Sequence, residues 1–128
     1  MPVDFVIIML GINDLWADKR RTPLEIGIAA LHLVAMAKSA SGAAGTSYPA
    51  PEVLLIAPPP LAAAVRDGSF ADYFGERVDE SEEPGSIYGR LTAAAGLNAG
   101  EVVTVGGVNG VHFTKDNHRA LGRRWHSM

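Results

Sequence analysis

Phe5 to Leu10 is an unbroken run of six apolar residues that stops at Gly11, and Asn13-Asp14 follows one residue later. A short apolar run bounded by a turn signal predicts a strand, here Asp4–Leu10, buried on both faces as in a parallel sheet. The polar pair then stands at the carboxyl end of the strand, the side of an open α/β sheet where ligands bind. Gly11 permits a sharp turn or a close backbone approach. The Asn13 amide can be aimed at developing negative charge. On the dipeptide alone, Asn13-Asp14 also reads as an ordinary turn.

The rest of the chain continues an α/β alternation. Leu15 to Arg21 is a polar loop with Trp16 and the basic run Lys19-Arg20-Arg21, which reads as a solvated surface. Trp16 either walls a pocket or covers the sheet edge. Thr22-Pro23-Leu24-Glu25 starts a helix, with threonine as cap, proline at the first helical position and glutamate closing a capping box. Leu24, Ile28, Leu31 and Ala35 recur at helical spacing, widened by Ile26, Ala30, Leu33 and Val34, and the helix is expected to reach about Ser41 and stop at Gly42. His32 has no second ligand at metal spacing and reads as a surface or boundary residue.

Ser39 to Pro51 reads as a loop. Val53 to Ala57 predicts a second buried strand, ended by Pro58-Pro59-Pro60 because proline cannot donate to a ladder. That end should help shape a pocket rim. Phe70, Tyr73 and Phe74, around a short helix within Leu61–Tyr73, are pocket or lid candidates, with packing onto the body as the alternative. The acidic stretch Asp79–Glu83 and the break Pro84-Gly85 predict mobility. A further helix over Ile87–Ala95, a third strand over Glu101–Val105 and a last helix capped by Thr114 complete the pattern. Ala120, Leu121 and Trp125 lie on the apolar side of that helix.

Composition excludes several classes. With 128 residues, 48% of them hydrophobic, the chain is one domain, residues 1–128, large enough for a core. A net charge of −3 argues against a nucleic-acid groove. The absence of cysteine removes a disulfide framework, a thiolate nucleophile and a thiolate metal site. No apolar run approaches membrane-span length, and no signal peptide is evident at the N-terminus, so the expected location is the cytoplasm. No metal-ligand spacing or phosphate loop is present, so no cofactor is expected.

Two blocks carry a family resemblance. Val6-Ile7-Ile8-Met9-Leu10-Gly11-Ile12-Asn13-Asp14 resembles the Gly-x-Asn-Asp block of the SGNH (GDSL-type) hydrolases. Val108-Asn109-Gly110-Val111-His112 resembles that family's last block, usually Asp-Gly-Val-His. Between them, Pro51 to Leu61 resembles the fourth-strand region of the arylesterase-like branch. The resemblance implies a three-layer α/β/α parallel sheet (the flavodoxin-like SGNH fold), truncated at the N-terminus to about three strands. It implies a serine esterase of small acyl or aryl esters. By the same resemblance, Asn13, with Gly11 in its block, is the oxyanion donor, His112 is the general base, Asn109 holds the position that orients the base, and Trp16, Phe70 and Phe74 are pocket candidates. His118 falls at a structural histidine.

Two departures bear on activity. The family's Gly-Asp-Ser nucleophile block and second glycine block are not in these 128 residues, and no serine present follows a predicted buried strand in such a context. Asp67-Gly68-Ser69 has the residue types in the wrong order, within a loop. In addition, Asn109 stands where the family has aspartate. An amide supplies no charge to stabilise imidazolium, and in the serine-protease triad such a change costs about 10⁴-fold in kcat. Asp116, four residues after His112, is a weaker orienting alternative.

The expectation is therefore a hydrolase lineage without ester turnover of its own. The alternatives are the C-terminal part of a split hydrolase completed by another chain, or a non-catalytic binding module. In the family's sheet order, 2-1-3-4-5, the Val3–Leu10 strand becomes an exposed edge. Pairing there, with a second copy or a complementing chain, is expected.

Overall fold

The structure is a computed structural model and describes residues 3–39, 48–95, 98–100 and 110–125. Its described elements run β1 (Phe5–Met9), α1 (Pro23–Ser39), β2 (Glu52–Ile56), α2 (Ala71–Phe74), α3 (Glu83–Ala94), β3 (Asn98–Gly100) and α4 (Lys115–Trp125). Short 3₁₀ turns fill the connections, among them Ile12–Leu15 after β1 and Ala63–Asp67 after β2.

The sheet is parallel throughout, in the order β1-β2-β3. β1 and β2 run in register from Phe5 opposite Glu52 to Met9 opposite Ile56. Residues paired in a parallel ladder share a face, because side chains alternate along each strand. Val6, Ile8, Val53 and Leu55 therefore face one way, toward the core that α1 and α3 close with Ile26, Ala30, Val34, Ile87 and Tyr88. Leu121 of α4 lies on the opposite face, where Ile7, Met9, Leu10, Ile56 and Leu121 line an apolar groove of about 370 Å³. This is α/β layering on a three-stranded sheet, the architecture expected of the truncated family fold.

β2 is buried along Val53–Ile56, as its apolar run predicts for a central strand. β1 is not buried on both faces: Phe5 is 52% and Ile7 40% exposed, and only Ile8 in the strand is buried. The reason is position. β1 is the edge of the described sheet, so its second side has no neighbouring strand among the described residues.

α1 starts as predicted. The Thr22 N–H and hydroxyl both donate to Glu25 Oε2, at 2.8 and 2.9 Å, and the Glu25 N–H donates back to Thr22 Oγ1 at 3.3 Å. The helix is apolar nearly all round, and of the predicted face it is the widening residues, not the central stripe, that pack inward. Ile26, Ala30 and Val34 are buried, whereas Leu24 and Ile28 are exposed. Gly27 decides the rotation: a Cβ there would stand 2.8 Å from Leu91 Cδ1 and 2.9 Å from Ile87 Cγ2, so the two helices meet across bare backbone. His32 is exposed. The predicted stop at Gly42 lies outside the described residues.

The Asp79–Pro84 stretch also departs from expectation. Glu80–Glu82 forms a 3₁₀ turn that runs directly into α3, with Pro84 buried in the first helical turn. Proline lacks only an N–H that the first turn leaves unpaired anyway, so it starts this helix rather than breaking the chain. Buried Ser81 anchors the turn: its Oγ accepts the Leu61 N–H at 2.8 Å and donates to the Val78 carbonyl. The predicted strand Glu101–Val105 lies outside the described residues; among those described, β2 pairs on this side with Asn98–Gly100. α4 starts at Thr114 as predicted, and Asn117 plays the part that Glu25 plays in α1.

Candidate functional site

β1 ends at Met9, and the chain turns at Gly11 with φ of +125°, a conformation that side-chain-bearing residues rarely adopt. Space also demands glycine. A Cβ at Gly11 would lie 2.7 Å from the Tyr88 hydroxyl oxygen, 2.9 Å from Ile26 Cγ2 and 3.4 Å from Pro58 Cγ. The Asp14 N–H closes the turn on the Gly11 carbonyl at 3.1 Å. Asn13 stands exposed on this turn, immediately beyond the carboxyl end of the strand. Asp14 pairs with Arg21 at 3.5 Å, and the buried Arg77 guanidinium donates to the Arg21 carbonyl at 2.6 Å and to Glu80 at 2.7 Å.

The other half comes from the far end of the chain. The Ala62 N–H donates to the Gly110 carbonyl at 3.0 Å, which ties the Gly110–His112 segment to the loop after β2. Met9, Leu10 and Ile12 from the β1 end, Pro58 and Pro59 from the β2 end, and Val111, His112, Phe113 and His118 then line one cleft of about 290 Å³. The structure thus brings the Gly-x-Asn-Asp turn and His112 to the same carboxyl edge of the sheet. Asn109 lies outside the described residues. The Asp116 carboxylate is engaged by Arg119 at 3.2 Å. His118 is exposed and meets the Phe113 ring edge-on at 5.3 Å.

The pocket candidates form a line of rings. Phe70 meets His112 at 5.7 Å, Tyr73 lies 6.4 Å from Phe70 and 5.1 Å from Trp16, and Lys19 Nζ sits 5.5 Å over the Trp16 ring. Phe70 and Trp16 are half-buried, whereas Phe74 is 2% exposed and belongs to the core beneath them. Ser69 is exposed in the bend before α2 and follows no strand. Among the described residues, no group of three or more histidine, aspartate or glutamate side chains is placed to hold a metal ion. No helix among them is long and apolar enough to cross a membrane.

Sequence reasoning missed Tyr88. It sits next to Ile87 on α3, is 1% exposed, and donates its hydroxyl proton to the Leu10 carbonyl at 3.0 Å. Burial, and secondarily the Asp14 carboxylate, push its pKa up to about 12. The signal available in the sequence was a tyrosine flanking a buried helical stripe, since a buried phenol needs a partner.

No protein-family model matches the chain, and no curated protein does. Solved structures do. The inhibitor-bound aryl esterase of M. smegmatis is 39% identical over 95% of this chain and 58% of its own, with a TM-score of 0.87. The native form of that aryl esterase is 37% identical over 99% of this chain and 60% of its own, with a TM-score of 0.89. A carbohydrate acetylesterase from Sinorhizobium meliloti is 33% identical over 99% and 60%, with a TM-score of 0.89. The chain spans about three fifths of the length of these proteins. With the Gly-x-Asn-Asp turn and the Gly-Val-His segment at one sheet edge and this fold around them, the chain belongs to the SGNH (GDSL-type) hydrolases, in their arylesterase-like branch.

Proposed function

We propose that these residues form the base-and-oxyanion half of a serine ester hydrolase site acting on small acyl or aryl esters. One observation carries the reading: Ile12, beside Asn13 on its turn, and His112 line one cleft with mostly apolar walls at the carboxyl edge of the sheet. His112 takes the proton of a serine hydroxyl as its oxygen adds to the acyl carbon, and the resulting oxyanion accepts from the Asn13 amide. His112 then returns the proton to the leaving alkoxide, and water repeats the sequence to free the acid. Phe70, 5.7 Å from the His112 ring, extends the wall beyond the cleft's lining, and Tyr73 carries it on to Trp16. Position 109, where the family has an aspartate, is an asparagine, and an amide brings no charge to stabilise an imidazolium.

The serine comes from a Gly-Asp-Ser strand that these 128 residues do not contain. Alone, therefore, they do not turn esters over. The test is hydrolysis of a chromogenic short-chain ester by the 128-residue chain, by its H112A variant, and by each mixed with a polypeptide carrying a Gly-Asp-Ser strand. Background rates from the chain alone, with turnover on mixing that H112A removes, are the expected result. Turnover by the unmixed chain that H112A abolishes defeats the missing-nucleophile argument. Thermal stabilisation by an ester analogue, with no turnover in any mixture, supports the second reading, a binding module on the same cleft, which the amide at Asn109 favours.

A further inference from the structure

Beyond the end of the sheet, the Leu10 carbonyl needs a donor that the ladder cannot provide. β2 ends at Ile56 opposite Met9, and after Ala57 the chain runs into Pro58-Pro59-Pro60, which carry no N–H, so the position next along from Leu10 has no donor. The Tyr88 hydroxyl, arriving from α3 some 78 residues away in sequence, supplies it at 3.0 Å. The same oxygen is the nearest atom to the space above the Gly11 Cα, so the hydroxyl fills the position a side chain would take. Gly11, in turn, begins the turn that Asp14 closes and on which Asn13 stands.

We propose that Tyr88 is a positioning residue for the Asn13 turn: by holding the Leu10 carbonyl and packing on Gly11, its hydroxyl sets the direction in which the Asn13 amide points. The assignment of Asn13 as oxyanion donor rests on the hydrolase reading above; the mechanical coupling does not. Two features separate this from ordinary core packing. The ring alone would fill the core as well as phenylalanine does, so only the hydroxyl distinguishes the residue. That hydroxyl is spent on the last carbonyl before the turn.

The experiment compares the chain with Y88F by amide hydrogen exchange and by the NMR shift of the Leu10 carbonyl carbon. Expected is an upfield Leu10 carbonyl shift in Y88F and about tenfold faster exchange at Asp14, with α1 amides at Ala30 and Val34 unchanged. The Asn13 side-chain amide resonances move with them. Unchanged exchange at Asp14 overturns the proposal. So does an equal loss of protection in α1 and the turn, or outright unfolding of Y88F, because the hydroxyl would then be merely structural. In the mixture with a Gly-Asp-Ser polypeptide, Y88F lowers kcat and leaves KM unaltered. If that mixture never turns over ester while the turn still loosens in Y88F, the hydrolase reading fails and the coupling of Tyr88 to the turn stands.

Discussion

Gly11 is where conformation, space and chemistry meet in one residue. Its φ of +125° is strained for any side chain, and a methyl group there would collide with the Tyr88 hydroxyl and Ile26. The two penalties act together, so Gly11→Ala is expected to cost about 3 kcal/mol, read as a drop in the urea midpoint at unchanged slope. Because Tyr88 and Gly11 share the contact, the double variant with Y88F should cost less than the sum of the two single changes. Asn13 differs: it is exposed on the turn, and Asn13→Ala should leave stability within about 0.5 kcal/mol of the parent.

Two helices begin with the same device built from different chemistry. At α1 the Thr22 and Glu25 groups bond reciprocally, and at α4 the Thr114 and Asn117 groups do so with an amide oxygen as acceptor. Thr22→Ala should lower stability by about 1 kcal/mol in chemical denaturation. Only the first box titrates. The Thr22 backbone N–H first, then its hydroxyl, hold the Glu25 carboxyl below its ordinary value. A carboxyl whose folded pKa is depressed stabilises above its unfolded pKa and loses that contribution as pH falls through the folded one. Acid titration followed by melting should therefore show a loss in the parent that E25Q lacks, while Asn117→Asp should introduce a comparable acid sensitivity at α4. Helix rotation is an element-scale fact of another kind. Gly27 lets α3 approach one side of α1, and that contact selects the Ile26, Ala30 and Val34 stripe.

At the scale of the molecule, the open side of the sheet matters most. β1 exposes Phe5 and Ile7, with Val3 and Leu10 exposed on either side of it, and its outer edge has no strand beside it among the described residues. Unpaired apolar edges recruit strands. We propose that a strand from a complementing polypeptide seats there, over the groove formed by Ile7, Met9, Ile56 and Leu121. Ile7→Lys should abolish that pairing by placing a charge in the groove. Sedimentation at micromolar concentration checks it: association of the parent with the complementing polypeptide and none of the variant is expected. Self-association of the parent through the same edge would make the partner a second copy, and a well-folded monomer that binds neither would defeat the proposal.

Much of this was legible in local chemistry. The apolar run ending at Gly11, the capping threonines Thr22 and Thr114, and the prolines that stop β2 are statements about backbone donors and allowed dihedrals, which neighbouring residues settle among themselves. Placing Asn13 and His112 at one edge followed from the two family blocks and the parallel order of the strands. Other features depended on contacts between distant segments. Periodicity found that α1 is apolar but not which side is buried, because two adjacent stripes fit equally until Gly27 meets α3. Pro84 read as a break because its role depends on Ser81 and the turn before it. Tyr88 reached Leu10 from 78 residues away. Local sequence determined where elements start and stop, since those energies are short-ranged. Only the tertiary structure decided which faces meet and which hydroxyl holds the turn, since packing is settled by the whole chain at once.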